Sequence, residues 1–297
     1  MSISLAELKA ISFAARHGSL SKTAALLNVT QPALSRRITE AEQTLGVILF
    51  ERLPRGVQPT PACLAFLRHA EVALVSIDEG AEAARNAGTP ELKKLAIGAV
   101  EVLFDDRLLV PCRNYLASND GSSIEFRSYN WSKEIGNDLI SGQLKIGLCY
   151  RKNSDPQLES IWLADDHISV VCAASHLLAQ VGRITMEQLE TVQWIGSPAA
   201  MDVAFSTFVD DMRSGRMRIW KTMPVGTFHA RVQLAEAGFG LALVRRASVL
   251  PNLLAGTLVE LEIPLTTTMP IFLTLRRGAY LGGITDVLIN EIRLAYG

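Results

Sequence analysis

The sequence of 297 residues has few of the features that mark metal-binding or disulfide-linked proteins. Its four cysteines, at positions 63, 112, 149 and 172, are far apart and form no CxxC pair, which argues against a zinc site or a disulfide framework. Its five histidines are equally scattered, and no HExxH spacing occurs. We therefore expect neither a metal nor another cofactor.

Long apolar runs and an export signal are absent as well. No stretch of about 18 consecutive apolar residues exists, so we expect no membrane contact. The start, MSISLAELKA, lacks a basic region followed by an apolar core. These absences predict a cytoplasmic protein.

Catalytic motifs are the third absence. No nucleophile elbow, phosphate loop or paired catalytic motif occurs. Gly238-Phe239-Gly240 follows a predicted helix and precedes a predicted strand, which is the wrong order for a dinucleotide-binding turn, so we interpret it as a helix end. We expect no enzyme activity. A small-molecule enzyme and a solute-binding protein without a role on DNA are the alternatives.

The charges that are present lie unevenly along the chain. Residues 1–60 contain seven Lys or Arg and four Glu, a net charge of +3, and the whole chain carries −1, so the rest carries −4. A basic end on an acidic body fits a partner with phosphates. The length and the apolar content of 48% predict about two folded domains.

Three short helices are predicted at the N-terminus. The segment Ser4-Leu5-Ala6-Glu7 forms a capping box that begins the first helix, and Gly18 ends it. Ser19 caps the second helix. After a tight turn, Thr30 caps the third helix, and Pro32 lies in its first turn, where a missing amide costs nothing.

The third helix has one apolar and one polar face. Its apolar residues recur at helical spacing and form a buried stripe: Leu34, Ile38, Ala41 and Leu45. The opposite face carries Gln31, Pro32, Ser35, Arg36 and Thr39. Such a helix fits the major groove of DNA, where Gln can read adenine and Arg can read guanine or hold a phosphate. The alternative is an ordinary amphipathic helix with a solvated polar face.

The following segment, Leu49–Val57, predicts two short strands around a Pro/Gly turn, a small wing. Arg52 and Arg55 can meet the DNA backbone or the minor groove, or can instead pair with Glu51. The complete predicted DNA-binding set is Ser19, Lys22, Thr30, Gln31, Pro32, Ser35, Arg36, Thr39, Arg52 and Arg55.

The segment GSLSKTAALLNVTQPALSRRITEAEQTLGVILFER closely resembles the DNA-binding domain of LysR-type transcriptional regulators. The chain departs from the usual family pattern at Ala41, Pro59 and Cys63, where Leu, Leu and Gly are typical. None of the three belongs to the predicted groove-facing residues. The resemblance implies a winged helix-turn-helix that binds double-stranded promoter DNA.

Residues 60 to about 86 predict one long helix. Its apolar residues are spaced by three and four in a heptad seam: Leu67, Ala70, Leu74, Ile77, Ala81 and Ala84. An apolar seam of this kind must be buried, either against a partner helix or against the body of the protein. The resemblance implies a linker helix that forms a dimer. Gly88-Thr89-Pro90 then marks a boundary.

The remaining residues alternate strand-like and helix-like segments. We predict strands at 92–98, 123–127, 145–150, 168–173, 194–196, 218–223 and 241–244, and helices at 105–116, 133–141 and 231–237. This order indicates an α/β fold with mainly parallel sheets. Ligands usually bind where strands lead into helices at one sheet edge.

The same order resembles the LysR effector domain, which is similar to periplasmic binding proteins. The implied organisation is a DNA-binding domain over 1–59, a linker helix over 60–87 and an effector-binding domain over 88–297. The effector domain would divide into one subdomain of about 91–161 plus 266–297 and another of about 162–265. The segments LAEAGFGLALV and DHISVV carry this part of the resemblance.

The predicted effector-binding residues lie just after strands: Val100, Glu101, Val102, Asn130, Trp131, Ser197, Thr227 and Phe228. Trp131 and Phe228 are also candidates for the core. Glu101, Asp105 and Asp106 would repel a carboxylate at the helix that starts there, which favours a neutral or amine-bearing effector. The alternative is that the three acids only complement the helix dipole.

The resemblance also implies a mechanism. Homodimers or homotetramers bind promoter half-sites, and a small-molecule effector shifts the population between two assemblies. RNA polymerase is a further candidate partner. The sequence does not identify the effector, the target promoters, or activation as opposed to repression.

Overall fold

The structure is a computed structural model that describes residues 2–54, 56–85, 94–196, 222–263 and 267–297. The chain forms two compact units, one built mainly from residues 1–90 and the other mainly from residues 91–297. Each unit has a hydrophobic core cluster of its own.

The first unit begins with three helices: α1 (Leu5–His17), α2 (Leu20–Leu26) and α3 (Gln31–Leu45). The predicted capping box is confirmed, because Ser4 accepts the amide of Glu7 and the Glu7 side chain accepts the amide of Ser4. Gly18 ends α1 in the left-handed conformation, with φ of 62°. Ser19 and Thr30 cap α2 and α3 as predicted.

The predicted apolar stripe of α3 faces the core of this unit. Leu34, Ile38 and Ala41 are buried there against Ile11 of α1, while Leu45 is partly buried at the edge of the same cluster. Burying each large aliphatic side chain contributes roughly 1.5–3 kcal/mol. This packing holds the opposite, polar face of α3 toward solvent.

A two-stranded wing follows, formed by β1 (Phe50–Leu53) and β2 (Gly56–Pro59) in antiparallel pairing. Glu42 of α3 accepts the amides of Leu49 at 2.8 Å and Phe50 at 3.2 Å, which ties the wing to α3. The amide of Val57 donates to the carbonyl of Gly18 at 2.9 Å. The wing is therefore held at both strands.

The long helix α4 (Pro61–Arg85) confirms the predicted helix. Thr60 accepts the amide of Cys63 at 3.2 Å and so satisfies one amide of the first turn. Along the predicted seam, Ala70 is buried and Ile77 is exposed. Whether a partner helix covers the seam stays a prediction.

The second unit is one continuous mixed sheet with helices. Its strands are β3 (Lys94–Val100), β4 (Ser123–Tyr129), β5 (Ile146–Cys149), β6 (Leu158–Ala173), β7 (Trp194–Gly196), β8 (Thr222–Pro224), β9 (Leu241–Arg245), β10 (Leu258–Glu260) and β11 (Thr267–Arg276). The strand order is β4-β3-β5-β11-β6-β9-β7-β8, and β10 pairs with β6.

Several described helices accompany this sheet. They are α5 (Asp106–Ser118), α6 (Ser132–Ile140), α7 (Met186–Thr191), α8 (Phe228–Glu236), α9 (Leu250–Ala255) and α10 (Gly282–Tyr296). A short 3-10 turn, Glu101–Leu103, separates β3 from α5, and another, Arg246–Val249, separates β9 from α9.

The prediction of mainly parallel sheets is wrong. Strand β3 pairs in parallel with β4 and β5, and β7 pairs in parallel with β8 and β9. However, β6 is antiparallel to β9, β10 and β11, and β11 is antiparallel to β5. The reason is that β6 and β11 are long strands that run between the two parallel sets, so they follow no βαβ crossover.

Other predicted strands and helices of this unit are confirmed, although most of them begin or end at residues other than those predicted. The strand predicted at 168–173 is the second half of β6, which begins ten residues earlier, at Leu158. Gly238 and Gly240 end α8 and lead into β9, with φ of 82° and 153°, as the interpretation of this segment required. Parts of the strands predicted at 92–98 and 218–223 lie outside the described residues.

Candidate DNA-reading face and ligand cavity

The polar face of α3 is open to solvent within its unit. Gln31, Pro32, Arg36 and Thr39 are exposed, and Ser35 is half-buried. These are the side chains that the sequence predicted to face a groove, and the structure brings them together on one side of the helix. We call these five residues the reading face.

Neighbouring side chains hold three members of the reading face. Ser21 of α2 donates to Oε1 of Gln31 at 3.0 Å. Arg36 donates through Nε to Oε1 of Glu40 at 2.7 Å, one helical turn later.

Arg52 of the wing donates through Nη2 to the hydroxyl of Ser35 at 3.2 Å. The wing arginine therefore lies against the reading face before any nucleic acid is bound.

Two of these contacts involve residues that sequence reasoning missed. The spacing of Arg36 and Glu40, four apart on a helix, is a signal that a sequence carries. Contact between Ser21 and Gln31 depends on how α2 packs against α3, so local spacing does not reveal it.

The remaining predicted DNA-binding residues have other positions. Ser19 and Thr30 are helix caps, accepting the amides of Lys22 and Ala33 at 3.3 and 3.4 Å. Lys22 itself is exposed. Arg55 lies outside the described residues.

The charge of the reading face is carried by Arg36. Its hydrogen bond to Glu40 and the charge of that carboxylate raise the pKa of Arg36 above its ordinary value. Glu40 and Arg36 are both substantially exposed, so this pair contributes little to stability. Its effect is to restrain the direction of the guanidinium.

The second unit contains a cavity of about 520 Å³. Its walls come from the turn after β3, the start of α5, α8, the turn after β9, and α9. The described lining residues are Glu101, Val102, Phe104, Asp105, Phe228, His229, Val232, Gln233, Arg245, Ala247, Ser248 and Asn252.

The cavity includes some of the predicted effector-binding residues. Glu101, Val102 and Phe228 line it. Outside the described lining are Val100, Asn130, Trp131 and Thr227, and Ser197 lies outside the described residues. For these five residues, effector binding stays a prediction that the cavity does not support.

Thr227 and Val100 have structural contacts instead. Thr227 caps α8 by accepting the amide of Ala230 at 3.3 Å. Val100 packs against the main core of the unit.

A buried arginine forms one wall of the cavity. The side chain of Arg245 is 4% exposed, and its Nε donates to Oδ2 of Asp166 on β6. Nη1 donates to the carbonyl of Val102 at 2.7 Å, and Nη2 donates to Oδ2 of Asp105 at 2.7 Å. A buried charge is tolerated only when it is paired and hydrogen-bonded, and this one is.

Further groups complete this ionic cluster. Arg107 also donates to Oδ2 of Asp105, at 2.9 Å, and its guanidinium lies 4.3 Å from the ring centre of Tyr296. Tyr150 donates to Oδ2 of Asp166 at 2.9 Å. Two arginines thus balance two aspartates.

Burial governs the titration of this cluster. Desolvation raises the pKa of Asp166, while the hydrogen bond from Tyr150 and the charge of Arg107 oppose the rise. Burial also raises the pKa of Tyr150 well above its ordinary value, and the charge of Asp166 adds to that rise.

The expectation that three acids at the start of α5 together repel a carboxylate needs correction. Asp105 is neutralised by Arg107 and Arg245, and its side chain accepts the amide of Arg107 as the helix cap. Asp106 is exposed and is not among the described lining residues. Only Glu101 of the three presents an unneutralised carboxylate to the cavity.

The sequence contains one indication that Arg245 has a buried partner. Arg245 directly follows the buried run Leu241–Val244, and Asp166 begins an apolar part of β6. A charge at the end of a buried strand requires a partner, but the sequence does not say which.

Two family models cover the chain. The model described as "Bacterial regulatory helix-turn-helix protein, lysR family" matches residues 5–64, and "LysR substrate binding domain" matches residues 89–295. The second match alone exceeds half of the chain.

Curated relatives agree with the family models. "HTH-type transcriptional regulator BenM" of Acinetobacter baylyi is 27% identical over 263 residues, 87% of this chain and 85% of that protein. "HTH-type transcriptional regulator AlsR" of Bacillus subtilis is 27% identical over 224 residues, 75% and 74% of the two chains.

Solved structures show the same fold. ArgP from Mycobacterium tuberculosis matches with a TM-score of 0.73 at 17% identity, covering 98% of this chain and 96% of that one. Full-length BenM matches with a TM-score of 0.57 at 26% identity, covering 99% and 96%.

The described helices include none with the length and apolar content needed to cross a membrane. The two family models follow one another along the chain in the order of the two compact units. The chain therefore belongs to the LysR family and is a LysR-type transcriptional regulator, with an N-terminal helix-turn-helix DNA-binding domain and a C-terminal effector-binding domain.

Proposed function

We propose that the protein recognises specific promoter sequences through the reading face of α3 and the wing. The observation that carries this proposal is the exposed polar side of α3, where Arg36 is charged and held in place by Glu40. A helix of this kind fits a major groove, and Arg is the side chain that most often reads guanine there. Arg52 and Arg55 of the wing would add contacts to phosphates.

The proposed division of labour follows the predicted boundaries. Residues 1–59 bind DNA, residues 60–87 form a dimer linker, and residues 88–297 bind an effector. Homodimers or homotetramers would place two reading faces on two half-sites about one helical turn apart. Such a protein acts in the cytoplasm, has no enzyme activity, and can contact RNA polymerase at the promoter.

The proposed effector site is the cavity lined by Glu101, Val102 and Phe228. Its volume of about 520 Å³ falls within the range of small-molecule sites. The cavity joins the turn after β3 to α8 and α9, so a ligand that contacts both sides favours one arrangement of these elements. An effector acts only through such differential binding.

A footprinting experiment tests the proposal. The full-length protein is mixed with duplexes taken from upstream of its own gene and of the neighbouring gene, with and without candidate metabolites. We expect protection of a short two-part site that an excess of unrelated duplex does not remove, and a changed footprint with the effector. Equal binding to all duplexes would contradict sequence recognition, and an enzyme or carrier would protect none.

A further inference from the structure

The charged residues that line the cavity of the second unit indicate which ligands it can bind. Among its described lining residues, Arg245 is the one arginine, and no lysine occurs. An anionic ligand needs a cation or free amide donors. Apart from His229, the positive charge available to an anion therefore depends on the state of Arg245.

Two carboxylates already neutralise the guanidinium of Arg245. Each of its three nitrogens donates a hydrogen bond, to Asp166, Val102 and Asp105 respectively. Its side chain is 4% exposed. A carboxylate ligand at Arg245 would place a third negative charge beside Asp105 and Asp166, or would have to displace Asp105 from this arginine. Neither arrangement favours an anion.

Glu101, in contrast to Arg245, does not belong to the ionic cluster. It lines the cavity from the turn that follows β3 and is half-buried. Within the described ranges, no side chain or amide pairs with its carboxylate. Because two arginines balance two aspartates in the Arg245 cluster, Glu101 is the acid of the described wall that no arginine or lysine of that wall neutralises.

The neutral polar groups of the wall can accept from a donor. Asn252 uses one N–H of its Nδ2 to donate to Glu236 at 2.7 Å and keeps its Oδ1 as an acceptor. Gln233 and Ser248 can both accept and donate. Phe104 and Phe228 line the same cavity. Aromatic faces attract cations and also cover the apolar part of a ligand.

We propose that the cavity binds an organic cation, an ammonium or guanidinium group on an apolar body, whose charge pairs with Glu101. This inference rests on the proposed function, because it treats the cavity as the effector site. It assigns Glu101 as the residue that determines ligand charge and Asp105 as the residue that keeps Arg245 from binding an acid.

A pair of probes with the same apolar body and opposite charge tests the proposal. The full-length protein is titrated with 2-phenylethylamine and with 3-phenylpropionate, and the midpoint of thermal unfolding is followed. A ligand that binds the folded state raises this midpoint. We expect the amine to raise it and to bind at least about tenfold more tightly than the acid.

Matched variants test whether Glu101 causes the preference for the amine. Glu101→Gln keeps the shape of the side chain and removes its charge, so we expect it to weaken amine binding by about tenfold. Asp106→Asn makes the same change of charge five residues away, on a side chain outside the described wall, and should leave amine binding unchanged. Asp105→Asn should strengthen binding of the acid, since it removes one of the two carboxylate charges that neutralise Arg245.

Each result has a defined meaning. Tighter binding of the acid, an unchanged affinity in Glu101→Gln, or no stabilisation by the amine overturns the proposal. The footprint is measured in parallel with the wild-type protein. If the acid binds and changes the footprint, the charge class is wrong and the proposed function stands. If the amine binds at Glu101 without changing the footprint, the cation site stands and its role as effector site fails.

Discussion

Under the proposed function, single side chains determine what the reading face can recognise. Arg36 has its Nε engaged by Glu40, which leaves both terminal nitrogens for the two acceptors of a guanine edge. Ser35 is in contact with Arg52, and Gln31 with Ser21. Each of the three therefore has a restricted direction before it meets DNA, and less conformational freedom is lost on binding.

Replacement of Arg36 by Ala tests the central residue of this surface. We expect specific binding to weaken by about 1–3 kcal/mol and discrimination at one base pair to fall. Gel shifts with the footprinted duplex and its single-base variants measure both effects. Arg37→Ala is the matched control, since it removes the same charge from a half-buried position of α3 outside the reading face. A folded Arg36→Ala protein with full affinity would refute the assignment.

Arg52→Ala tests the wing. If Arg52 holds a phosphate, its loss should lower the dependence of log K on log salt by about one and should weaken binding to all sequences alike. Gel shifts at several salt concentrations give this slope. A change in base preference without a change in slope would instead assign Arg52 to base reading through its contact with Ser35.

At the scale of elements, the wing depends on a close approach of two backbones. Gly56 has φ of 101°, and a Cβ at this position would lie 2.2 Å from the carbonyl oxygen of Gly18. The adjacent residue, Val57, donates its amide to that same oxygen. A side chain at position 56 must therefore break the link between the wing and the end of α1.

Gly56→Ala should consequently destabilise the protein more than an ordinary left-handed glycine does. Gly46→Ala is the control, because Gly46 has φ of 69° and its Cβ would meet no atom within 4 Å. In the control, the free energy of unfolding should fall by only about 1–2 kcal/mol, which is the cost of placing a residue with a side chain in the left-handed conformation. Urea unfolding of both variants measures the difference, and equal losses would contradict the close approach.

The helices and strands differ in how well the sequence predicts them. Helices α1, α3 and α4 were predicted almost to the residue, because caps and heptad spacing are local signals. Strand β11 is absent from the predicted strands, and the direction of β6 was not predicted, because the register between these two strands joins residues about a hundred positions apart. Their antiparallel pairing made the sheet mixed.

For the whole molecule, the four cysteines are buried thiols and not reactive groups. Burial raises the pKa of Cys63 and Cys172 to about 11 and that of Cys112 to about 12, and for Cys63 the charge of Glu42 adds to the rise. Burial also raises the pKa of Cys149, whose thiol donates to the carbonyl of Arg151 at 3.3 Å, and the hydrogen bond with Thr274 opposes the rise. Thiolate, the nucleophilic form, is therefore scarce at neutral pH.

We expect the native protein to resist a thiol reagent at pH 8 and to react at all four cysteines once it is unfolded in guanidinium. Because unfolded thiols ionise near pH 8.5, the stability that protonated thiols contribute is complete below that pH. It is lost as the pH rises toward the folded values near 11. Rapid labelling of a native thiol, or stability that increases from pH 8.5 to pH 10, would contradict this.

The sequence by itself determined the features whose causes are local: the capping box of α1, the polar and apolar faces of α3, and the resemblance to the LysR family. Tertiary structure alone decided the ionic cluster, in which Arg245 joins residues 79 and 140 positions away. Burial makes an unpaired charge costly, so each acid must find a base, but which base it finds depends on the packing of distant strands. For that reason the ionic part of the cavity wall, unlike the reading face, is defined only in the folded chain.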